Sequence, residues 1–278
     1  MNFNCTNSLA NIKPELITDK VKEVLNFEKE TDKKAVVLSS GGLDSLVVLK
    51  YAIERFGKEN VYTLDFSYGQ NHTIEMSCSK RISEHFGIHR EVMDISEIFK
   101  FSDSAMLKKN KDKIIHKSYE EQIFGEGGTG ERHCVNTYCP NRNAILINIA
   151  GAYAISIGAS YVLIGAHAED AANNAYADTS IAFLEKEAAA LAEGTDPKVN
   201  LLYPLGFLNK TENVTLGHVL GLTEDEFALS FSCYDPIEIG NNAYKQCGTC
   251  ATCISRLESL KANDIDPHED QIYTEYKN

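Results

Sequence analysis

The chain has 278 residues, 43% of them apolar, so it is long enough to bury one sizeable core. Its 40 acidic residues outnumber 27 basic ones, giving a formal net charge of −13, and such a surface repels phosphate backbones, so we expect no nucleic-acid partner. The N-terminal residues lack the apolar stretch of a secretory signal, and no apolar run approaches the roughly 18 residues of a membrane helix, so we expect a cytoplasmic protein with no membrane partner.

Five short runs of apolar and β-branched residues are predicted to be strands, and helical patterns lie between them. The predicted strands cover 35–38, 61–66, 90–95, 161–166 and 201–205. The predicted helices cover 45–57, 74–87, 143–158, 180–194 and 210–220. This alternation predicts an α/β fold, a Rossmann-like doubly wound parallel sheet of five strands with helices on both faces.

The pattern also divides the chain into three parts. Residues 1–32 are polar and rich in lysine and glutamate, and we interpret them as an N-terminal leader. Residues 33–222 form the α/β domain, with an insert at about 101–138 that is first lysine-rich and then glycine-rich. A loop of that length in a compact domain is functional or mobile, and we predict a mobile insert. Residues 223–278 form a C-terminal helical segment.

The turn after the first strand has the composition of a phosphate-binding loop. Glycines let a ligand approach the backbone, and the N-terminus of the following helix attracts an anion. The turn matches neither the Walker motif nor the dinucleotide fingerprint. It resembles the SGGxDS loop of the PP-loop (adenine nucleotide α-hydrolase, HUP) superfamily, which implies that ATP and Mg²⁺ bind at Leu38, Ser39, Ser40, Gly41, Gly42, Leu43, Asp44 and Ser45. Asp44 is the predicted magnesium contact, because a hard cation prefers carboxylate oxygens.

Four of the eight cysteines are clustered near the C-terminus, and without an export signal this clustering favours metal ligation over disulfides. The spacing Cys233-x13-Cys247-x2-Cys250-x2-Cys253 supplies four soft ligands, for which tetrahedral Zn²⁺ is the simplest occupant. We therefore predict a structural zinc site in the C-terminal segment. An iron–sulfur cluster and free thiols are the alternatives.

Six stretches in order resemble the 7-cyano-7-deazaguanine synthase (preQ0 synthase, QueC) family of this superfamily. They are Ser40–Ser45, 68–72 (YGQNH), 140–143 (PNRN), 165–170 (GAHAED), 209–212 (NKTE) and 232–234 (SCY), and together they span about 35–265. The resemblance implies that the carboxylate of 7-carboxy-7-deazaguanine attacks the α-phosphate of ATP, that ammonia converts the adenylate to an amide, and that a second activation dehydrates the amide to the nitrile. We expect a homodimer.

Arg142 and Lys210 open helices on the loop side of the predicted sheet, where ligands gather in open α/β folds. With Asp44 they are the predicted catalytic residues: Lys210 would meet phosphate or adenylate charge, and Arg142 a carboxylate or phosphate. The predicted substrate contacts follow strands or open helices on the same edge, and they are Tyr68, Gln70, His72, Arg142, Asn143, His167, Glu169, Asp170, Tyr176 and Asp178. His167, Glu169 and Asp170 could equally contact the nucleotide.

Each assignment has a plainer alternative. His72 and Glu75 could form a surface pair, Arg142 a salt bridge across its helix start, and Lys210 could face solvent. Glu169 or Asp170 could cap a helix, since acids are favoured there, and Tyr68 and Tyr176 could be core residues. The stretch 174–179 departs from the family pattern, and Cys134 and Cys139 have no role beyond packing.

Three other functions compete with preQ0 synthesis. A related enzyme could adenylate a different acid or attach a deazaguanine-type group to a protein, and its core motifs would look the same. A tRNA thiolase would need a basic surface and a sulfur-carrying cysteine, against which the charge of −13 argues. A silent nucleotide sensor or zinc scaffold would not need Asp44, Arg142 and Lys210 intact.

Overall fold

The structure is a computed structural model that describes residues 12–71, 73–124, 135–171 and 175–275. Its centre is a parallel sheet of five strands in the order β3-β2-β1-β4-β5. The strands are β1 (Ala35–Leu38), β2 (Val61–Ser67), β3 (His89–Asp94), β4 (Tyr161–Leu163) and β5 (Asn200–Leu202). The predicted doubly wound sheet is confirmed, with β4 and β5 shorter than expected. The chain order reverses between β1 and β4, where a crevice opens at the carboxyl ends of the strands.

Helices cover both faces of the sheet. In chain order they are α1 (Asp19–Leu25), α2 (Leu43–Phe56), α3 (Ile74–Phe86), α4 (Ser96–Phe99), α5 (Tyr119–Phe124), α6 (Arg142–Ile157), α7 (Ala168–Ala171), α8 (Ile181–Gly194), α9 (Lys210–Val219), α10 (Glu224–Ala228) and α11 (Ala251–Ala262). Strand side chains alternate between the faces, so Ala35 and Val37 join the core under α2 and α9, while Val36 and Leu38 join the core under α6 and α8. No helix among the described residues is long and apolar enough to cross a membrane.

The segment that we interpreted as a leader is part of the α/β body from residue 12 onward. Thr18 caps α1 through the backbone N–H of Val21, and Val21 is fully buried in the core beside α2. Farther along, Glu30 accepts hydrogen bonds from Arg55 Nε at 3.0 Å and from the Tyr161 hydroxyl at 2.6 Å. Residues 12–32 therefore fasten α2 to β4.

The described part of the insert lies over the crevice. Leu107 and Ile123 are buried, and the N–H of Asn71 donates to Met106 O at 2.8 Å. His116 bridges to the C-terminal segment, with Nδ1 at 2.8 Å from Thr249 Oγ1 and Nε2 at 3.0 Å from Asp235 Oδ2. Two segments distant in sequence thus close one side of the crevice together.

The C-terminal segment contains three short strands in addition to the helices that the sequence predicts. Strands β6 (Ile237–Gly240), β7 (Ala243–Lys245) and β8 (Tyr273–Thr274) form a small antiparallel sheet in the order β6-β7-β8. Asn241 and Asn242, both at φ 54°, make the tight turn between β6 and β7. A two-residue turn with positive φ at both positions matches the twist of a hairpin.

Candidate active site

A pocket opens at the carboxyl edge of the sheet, beside the ends of β1 and β4. Its walls come from the loop after β1, the ends of β2 and β4, the starts of α3, α6 and α9, the insert and the C-terminal segment. The lining side chains that carry charge or a titratable group are Asp44, Asp65, Tyr68, Glu75, Tyr119, Arg142, His167, Tyr176, Lys210 and Tyr234. The site is therefore polar at the loop end and aromatic at the opposite end.

The loop after β1 folds into a turn whose polar atoms are held in place. The hydroxyl of Ser45 donates to Gly42 O at 2.9 Å and lies 3.3 Å from both the N–H and the hydroxyl of Ser40. Gly42 caps α2, and the N–H of Leu43 donates to Ser232 Oγ at 3.4 Å. The geometry thus places a preformed loop at the N-terminus of a 14-residue helix, as an anion site requires.

Gly41 can only be glycine here. Its φ is +78°, and a Cβ at this position would lie 2.0 Å from the backbone oxygen of Glu75. Gly165, after β4, approaches the same turn, since a Cβ on it would lie 3.2 Å from the carbonyl carbon of Asp44. These approaches bring the starts of α2 and α3 and the end of β4 together around the pocket.

Asp44 and Lys210 form a close ion pair on the pocket wall. Lys210 Nζ donates to Asp44 Oδ2 at 2.5 Å, and Asn213 Nδ2 donates to Asp44 Oδ1 at 3.2 Å. His167 Nε2 lies 3.7 Å from Asp44 Oδ2. The side chain of Lys210 is only 6% exposed, so it does not face solvent. The structure thus brings Asp44, His167 and Lys210, three of the predicted site residues, to the same wall of the pocket.

The local fold explains how Lys210 is aimed into the pocket. Asn209 and Glu212 form a capping box at the start of α9: Asn209 Oδ1 accepts from the N–H of Glu212, and Glu212 Oε2 accepts from the N–H of Asn209. Burial alone would raise the pKa of the Asp44 carboxyl, but the charges of Lys210 and His167 and the hydrogen bonds it accepts hold that pKa below its usual value. Asp44 therefore remains a carboxylate at neutral pH.

A second cation, Arg142, lies against Tyr68 on another wall. Arg142 Nη1 donates to the Tyr68 hydroxyl at 3.3 Å, and its guanidinium carbon lies 5.3 Å from the centre of the Tyr68 ring. Burial raises the pKa of Tyr68 to about 12, with Glu75 adding to the shift and Arg142 opposing it. Gln70 is turned back on the backbone, accepting from the N–H of Tyr68 at 2.8 Å and donating to Phe66 O at 3.2 Å. Gln70 thus fixes the turn that presents Tyr68.

Asp178 supports the site from behind. Its Oδ2 accepts from the N–H of Asn143 at 2.9 Å, and Asn143 Nδ2 donates to Asp178 O at 3.0 Å. Asp178 is not among the described residues that line the pocket, whereas Asn143 is. The carboxylate that we predicted to contact substrate instead satisfies a free N–H at the start of α6, the helix that begins with Arg142.

One further substrate prediction does not meet the pocket, and two cannot be placed. Glu169 is exposed in α7 and is not among the described lining residues, so the structure does not bring it to the site. His72 and the side chain of Asp170 lie outside the described residues, as does Cys134. Cys139 is buried, 3.7 Å from Ser102 Oγ.

Sequence reasoning did not include Glu75 among the site residues. It occupies the first turn of α3 and lines the pocket rather than making a surface pair. Burial raises the pKa of its carboxyl to about 7, against the lowering influence of Arg142. The feature of the sequence that could have indicated Glu75 is its position in the first turn of the helix that follows β2.

A cluster of hydroxyl groups forms the aromatic end of the pocket, and only Tyr176 was predicted there. Tyr176 OH lies 2.6 Å from Thr137 Oγ1 and 3.0 Å from Tyr234 OH, and Tyr234 OH lies 2.8 Å from Tyr119 OH. Burial, together with the neighbouring Tyr119 and Tyr176, raises the pKa of Tyr234 well above its usual value. The signal for Tyr234 was its position next to Cys233.

The loop after β1 also rests on a buried chain of polar groups. Ser39 Oγ lies 2.7 Å from Ser79 Oγ, which donates to Asp65 Oδ1 at 2.8 Å, and Arg90 Nε donates to Asp65 Oδ2 at 2.7 Å. Burial raises the pKa of Asp65 to about 6, although Arg90 and Ser79 act in the opposite direction. The chain runs from α3 and β3 to the loop and holds the end of β1 in place.

The four clustered cysteines converge on one point beside the pocket. The sulfur atoms of Cys233, Cys247, Cys250 and Cys253 all lie within 4.8 Å of one another. The N–H of Cys247 donates to Cys233 Sγ at 3.2 Å, and that of Cys250 donates to Cys247 Sγ at 3.3 Å. A tetrahedron with zinc–sulfur bonds of about 2.3 Å has sulfur–sulfur edges of about 3.8 Å, so this donor set fits a tetrahedral metal ion.

The family model and the named relatives agree on one family. The family model described as "Queuosine biosynthesis protein QueC" matches residues 34–264. A 7-cyano-7-deazaguanine synthase from Psychromonas ingrahamii is 33% identical over 84% of this chain and 96% of its own length. Another, from Thermoplasma acidophilum, is 35% identical over 88% of this chain and 95% of its own. Among solved structures, the U34-tRNA thiolase NcsA from Methanococcus maripaludis aligns over 90% of this chain and 75% of its own, at 15% identity and a TM-score of 0.48, too low to support a functional argument.

Proposed function

Since the chain belongs to the QueC family of queuosine biosynthesis proteins, we propose that the pocket at the β1–β4 crevice is where it makes 7-cyano-7-deazaguanine (preQ0). The enzyme is an ATP-dependent ligase that forms carbon–nitrogen bonds. Its substrates are 7-carboxy-7-deazaguanine, ammonia and ATP. The observation that supports this assignment most strongly is the Asp44–Lys210 pair beside the loop after β1, because this is the place where a triphosphate and its leaving group need charge.

The reaction needs two activations by ATP. In the first, the substrate carboxylate attacks the α-phosphorus and pyrophosphate leaves, giving an acyl adenylate that ammonia converts to the amide. In the second, the amide oxygen is adenylated and the loss of AMP leaves the nitrile. The N–H groups of the loop and of the first turn of α2 would hold the departing pyrophosphate.

We propose Asp44 as the magnesium ligand of this site. A carboxylate has about four lone-pair positions, and two hydrogen bonds, from Lys210 and Asn213, occupy part of that capacity. Its lowered pKa keeps it charged, as a hard cation requires. Bound magnesium would neutralise phosphate charge, while Lys210, on the same wall, would stabilise charge on the α-phosphate.

We assign Arg142 to the substrate carboxylate and Tyr68 to one face of the deazapurine ring. Arg142 lies over the Tyr68 ring and is buried enough for a strong charged hydrogen bond. Tyr176 and Asn143 would complete the substrate wall. His167 lies beside Asp44 and would contact the nucleotide rather than the deazapurine.

The cysteine cluster is proposed to hold structural Zn²⁺ through Cys233, Cys247, Cys250 and Cys253. The ion would link the hairpin of β6 and β7 to the start of α11 and would supply no reacting group. Because Tyr234 follows Cys233 directly, the metal would also set the position of one pocket wall.

The surroundings of the enzyme complete the proposal. We propose a homodimer in the cytoplasm whose acidic surface binds no nucleic acid. Ile237 and Ile239 are about half exposed on β6, an edge strand of the small sheet, and exposed apolar side chains on an edge strand are typical of a contact surface.

The test supplies purified protein with ATP, Mg²⁺, ammonium and 7-carboxy-7-deazaguanine and follows the nitrile by mass spectrometry. Asp44→Asn is expected to lower the rate of pyrophosphate release by about 100-fold or more. Asp19→Asn is the matched control, because Asp19 is also a first-turn acid but is fully exposed. AMP release with a different acid, without any nitrile, would overturn the substrate assignment.

Folding and chemistry can be separated at the same position. Asp44→Asn leaves the buried ammonium of Lys210 without its carboxylate, a loss that costs about 3–5 kcal/mol of unfolding free energy. Adding Lys210→Met should restore the melting temperature and leave the activity lost. If Asp44→Asn kept normal pyrophosphate release, its role at the phosphates would be wrong.

A further inference from the structure

Glu75 is the carboxyl group of the pocket that the roles assigned above do not use. It lies in the first turn of α3, one helical turn beyond the end of the motif that presents Tyr68. Its main-chain oxygen packs against Gly41, and its residue lines the pocket together with Arg142 and Tyr68. Glu75 therefore lies between the phosphate loop and the proposed substrate wall.

The carboxylate of Glu75 is accessible from the pocket. Within the described ranges, no hydrogen bond or ion pair engages its oxygen atoms. These oxygens are also absent from the fully buried polar atoms that lack a partner, so they keep contact with the pocket. The other acids of the pocket are occupied: Asp44 accepts from Lys210 and Asn213, and Asp65 accepts from Ser79 and Arg90. Glu75 is thus the carboxyl group placed to exchange a proton with a bound ligand.

The groups around Glu75 set its proton affinity. Arg142 lowers the pKa of the carboxyl, but burial is the stronger influence and raises it to about 7. Tyr68 and Cys78 are the other titratable groups that interact electrostatically with Glu75, and burial raises the pKa of both. Glu275 lies at the same helix start, where it accepts from the N–H of Thr73 at 2.8 Å. A base with this affinity accepts a proton and gives it up again near neutral pH.

The reaction requires the removal of four protons from one nitrogen atom. Ammonium loses one to become the nucleophile. When ammonia attacks the acyl adenylate, the new C–N bond forms, the bond from carbon to the adenylate oxygen breaks, AMP leaves and the nitrogen loses a second proton. Adenylation of the amide oxygen removes a third, and cleavage of the second C–O bond, which releases AMP and leaves the C≡N group, removes the fourth.

We propose that Glu75 is the general base that takes these protons from the substrate nitrogen and passes them to solvent. This inference rests on the proposed function, since it needs ammonia and an acyl adenylate in the pocket. The first adenylation, in which a carboxylate attacks phosphorus, releases no proton from nitrogen. Glu75 should therefore matter to the amide-forming and nitrile-forming steps and not to the first activation.

The experiment compares wild type with Glu75→Gln, step by step. Formation of the first adenylate, measured by exchange of labelled pyrophosphate into ATP without ammonium, should stay within about threefold of wild type. Single-turnover conversion of that adenylate to the amide should slow by about 100- to 10,000-fold, the usual range for a general base. Glu84→Gln is the matched control, because Glu84 is exposed on the same helix.

A pH profile gives a second readout that a structural role would not move. Total ammonium is adjusted at each pH so that free ammonia stays constant. The amide-forming rate of wild type should then rise with pH and level off above about 7, as the carboxyl loses its proton. Glu75→Gln should lack this limb, and Glu75→Asp should recover part of the rate with the limb present.

The outcomes separate the two proposals. If wild type forms no adenylate from 7-carboxy-7-deazaguanine, the proposed function fails. If wild type makes the nitrile but Glu75→Gln forms the amide at the normal rate, the role of Glu75 is wrong. Equal slowing of adenylation and amide formation would also overturn it and make Glu75 a positioning residue for Arg142 or the loop. A wild-type profile without a limb near 7 would overturn it even if the variants did not fold.

Discussion

The two sides of the pocket are built by different physical means. On the phosphate side, β1 is fully buried, and Gly41 meets the backbone of Glu75 so closely that main-chain geometry fixes the loop. On the opposite side, the hairpin and the start of α11 converge on four sulfur atoms, with a small apolar cluster that includes Ile74, Phe231 and Tyr273. The shape of the phosphate side therefore depends on close packing, whereas the shape of the cysteine side depends on the metal ion that the four sulfur atoms would bind.

The two sides are joined by hydrogen bonds that come directly from the loop. The N–H of Phe231 donates to Gly41 O at 2.9 Å, and the N–H of Leu43 donates to Ser232 Oγ at 3.4 Å. Behind them, the fully buried Arg256 donates to Ser230 Oγ at 2.7 Å and to Phe227 O at 3.0 Å. A disturbance of the cysteine side can therefore reach the phosphate loop through residues 230–232, and variants on each side measure how far it does.

The largest effect is expected from the change that breaks the packed side. Gly41→Ala places a Cβ 2.0 Å from a backbone oxygen at a φ of +78°, and neither partner is the flexible end of a side chain. We expect a loss of about 3 kcal/mol or more in unfolding free energy. Pyrophosphate exchange should fall by at least about 100-fold, because the loop and the start of α3 must separate. Thermal unfolding and exchange assays measure the two effects.

Gly158→Ala is the control for that change. Gly158 ends α6 at a φ of +68°, but a Cβ there would meet nothing within 4 Å. It should cost only about 1 kcal/mol, from the left-handed backbone alone, and leave the exchange rate unchanged. If Gly41→Ala behaved like Gly158→Ala, close packing would not be what shapes the loop.

An intermediate effect is expected on the cysteine side. Cys250→Ser removes one of the four converging sulfurs, so the protein should lose bound zinc and several kcal/mol of unfolding free energy together. Activity should fall by about tenfold, since Ser232 and Tyr234 flank Cys233 and would lose their fixed positions. Metal analysis, thermal unfolding and the nitrile assay follow the three quantities.

Cys78→Ser is the matched control, because Cys78 is fully buried in the same apolar cluster without belonging to the sulfur group. It should keep full zinc content. If Cys250→Ser also kept stoichiometric metal and an unaltered melting temperature, the structural zinc site would be rejected, and with it the contrast between the two sides.

The packed side is also the side that the sequence predicts well. The run Ala35–Leu38, the glycine-rich turn after it and the following helix can each be predicted from the local sequence pattern. Asp44 and Lys210 could be predicted as site residues because each lies at a helix start on the same edge of the sheet. The hairpin at 237–245 was missed because the two strands that flank Asn241 and Asn242 are too short to show the alternating apolar and polar pattern of a strand. Cysteine spacing predicted the metal site there but not the strands that carry it.

The residues missed in the site share one property: only tertiary packing brings them to the pocket. Glu75 follows the helical pattern of α3, and the pattern alone does not say that its first turn faces Gly41 rather than solvent. Tyr119 and Thr137 belong to an insert without periodicity. Asp178 shows the reverse case, since it was predicted as a substrate contact on family pattern and instead satisfies the backbone of α6.

The smallest effect is expected at the hydroxyl cluster, which lies at the aromatic end of the pocket and includes Tyr234 of the cysteine side. Tyr176→Phe removes the group that lies 2.6 Å from Thr137 Oγ1 and 3.0 Å from Tyr234 OH. Because Tyr176, Thr137 and Tyr234 line the pocket, losing these bonds should loosen the substrate wall, and we expect a rise of up to about tenfold in KM for 7-carboxy-7-deazaguanine with little change in kcat. Tyr153→Phe, on α6 away from the described pocket lining, should change neither constant.

A double-mutant cycle with Tyr234→Phe decides whether the cluster acts as a unit, because coupled hydroxyls give less than additive losses. Fully additive losses would show that Tyr176 and Tyr234 act on the substrate independently, so that the metal-organised side would not act through the cluster.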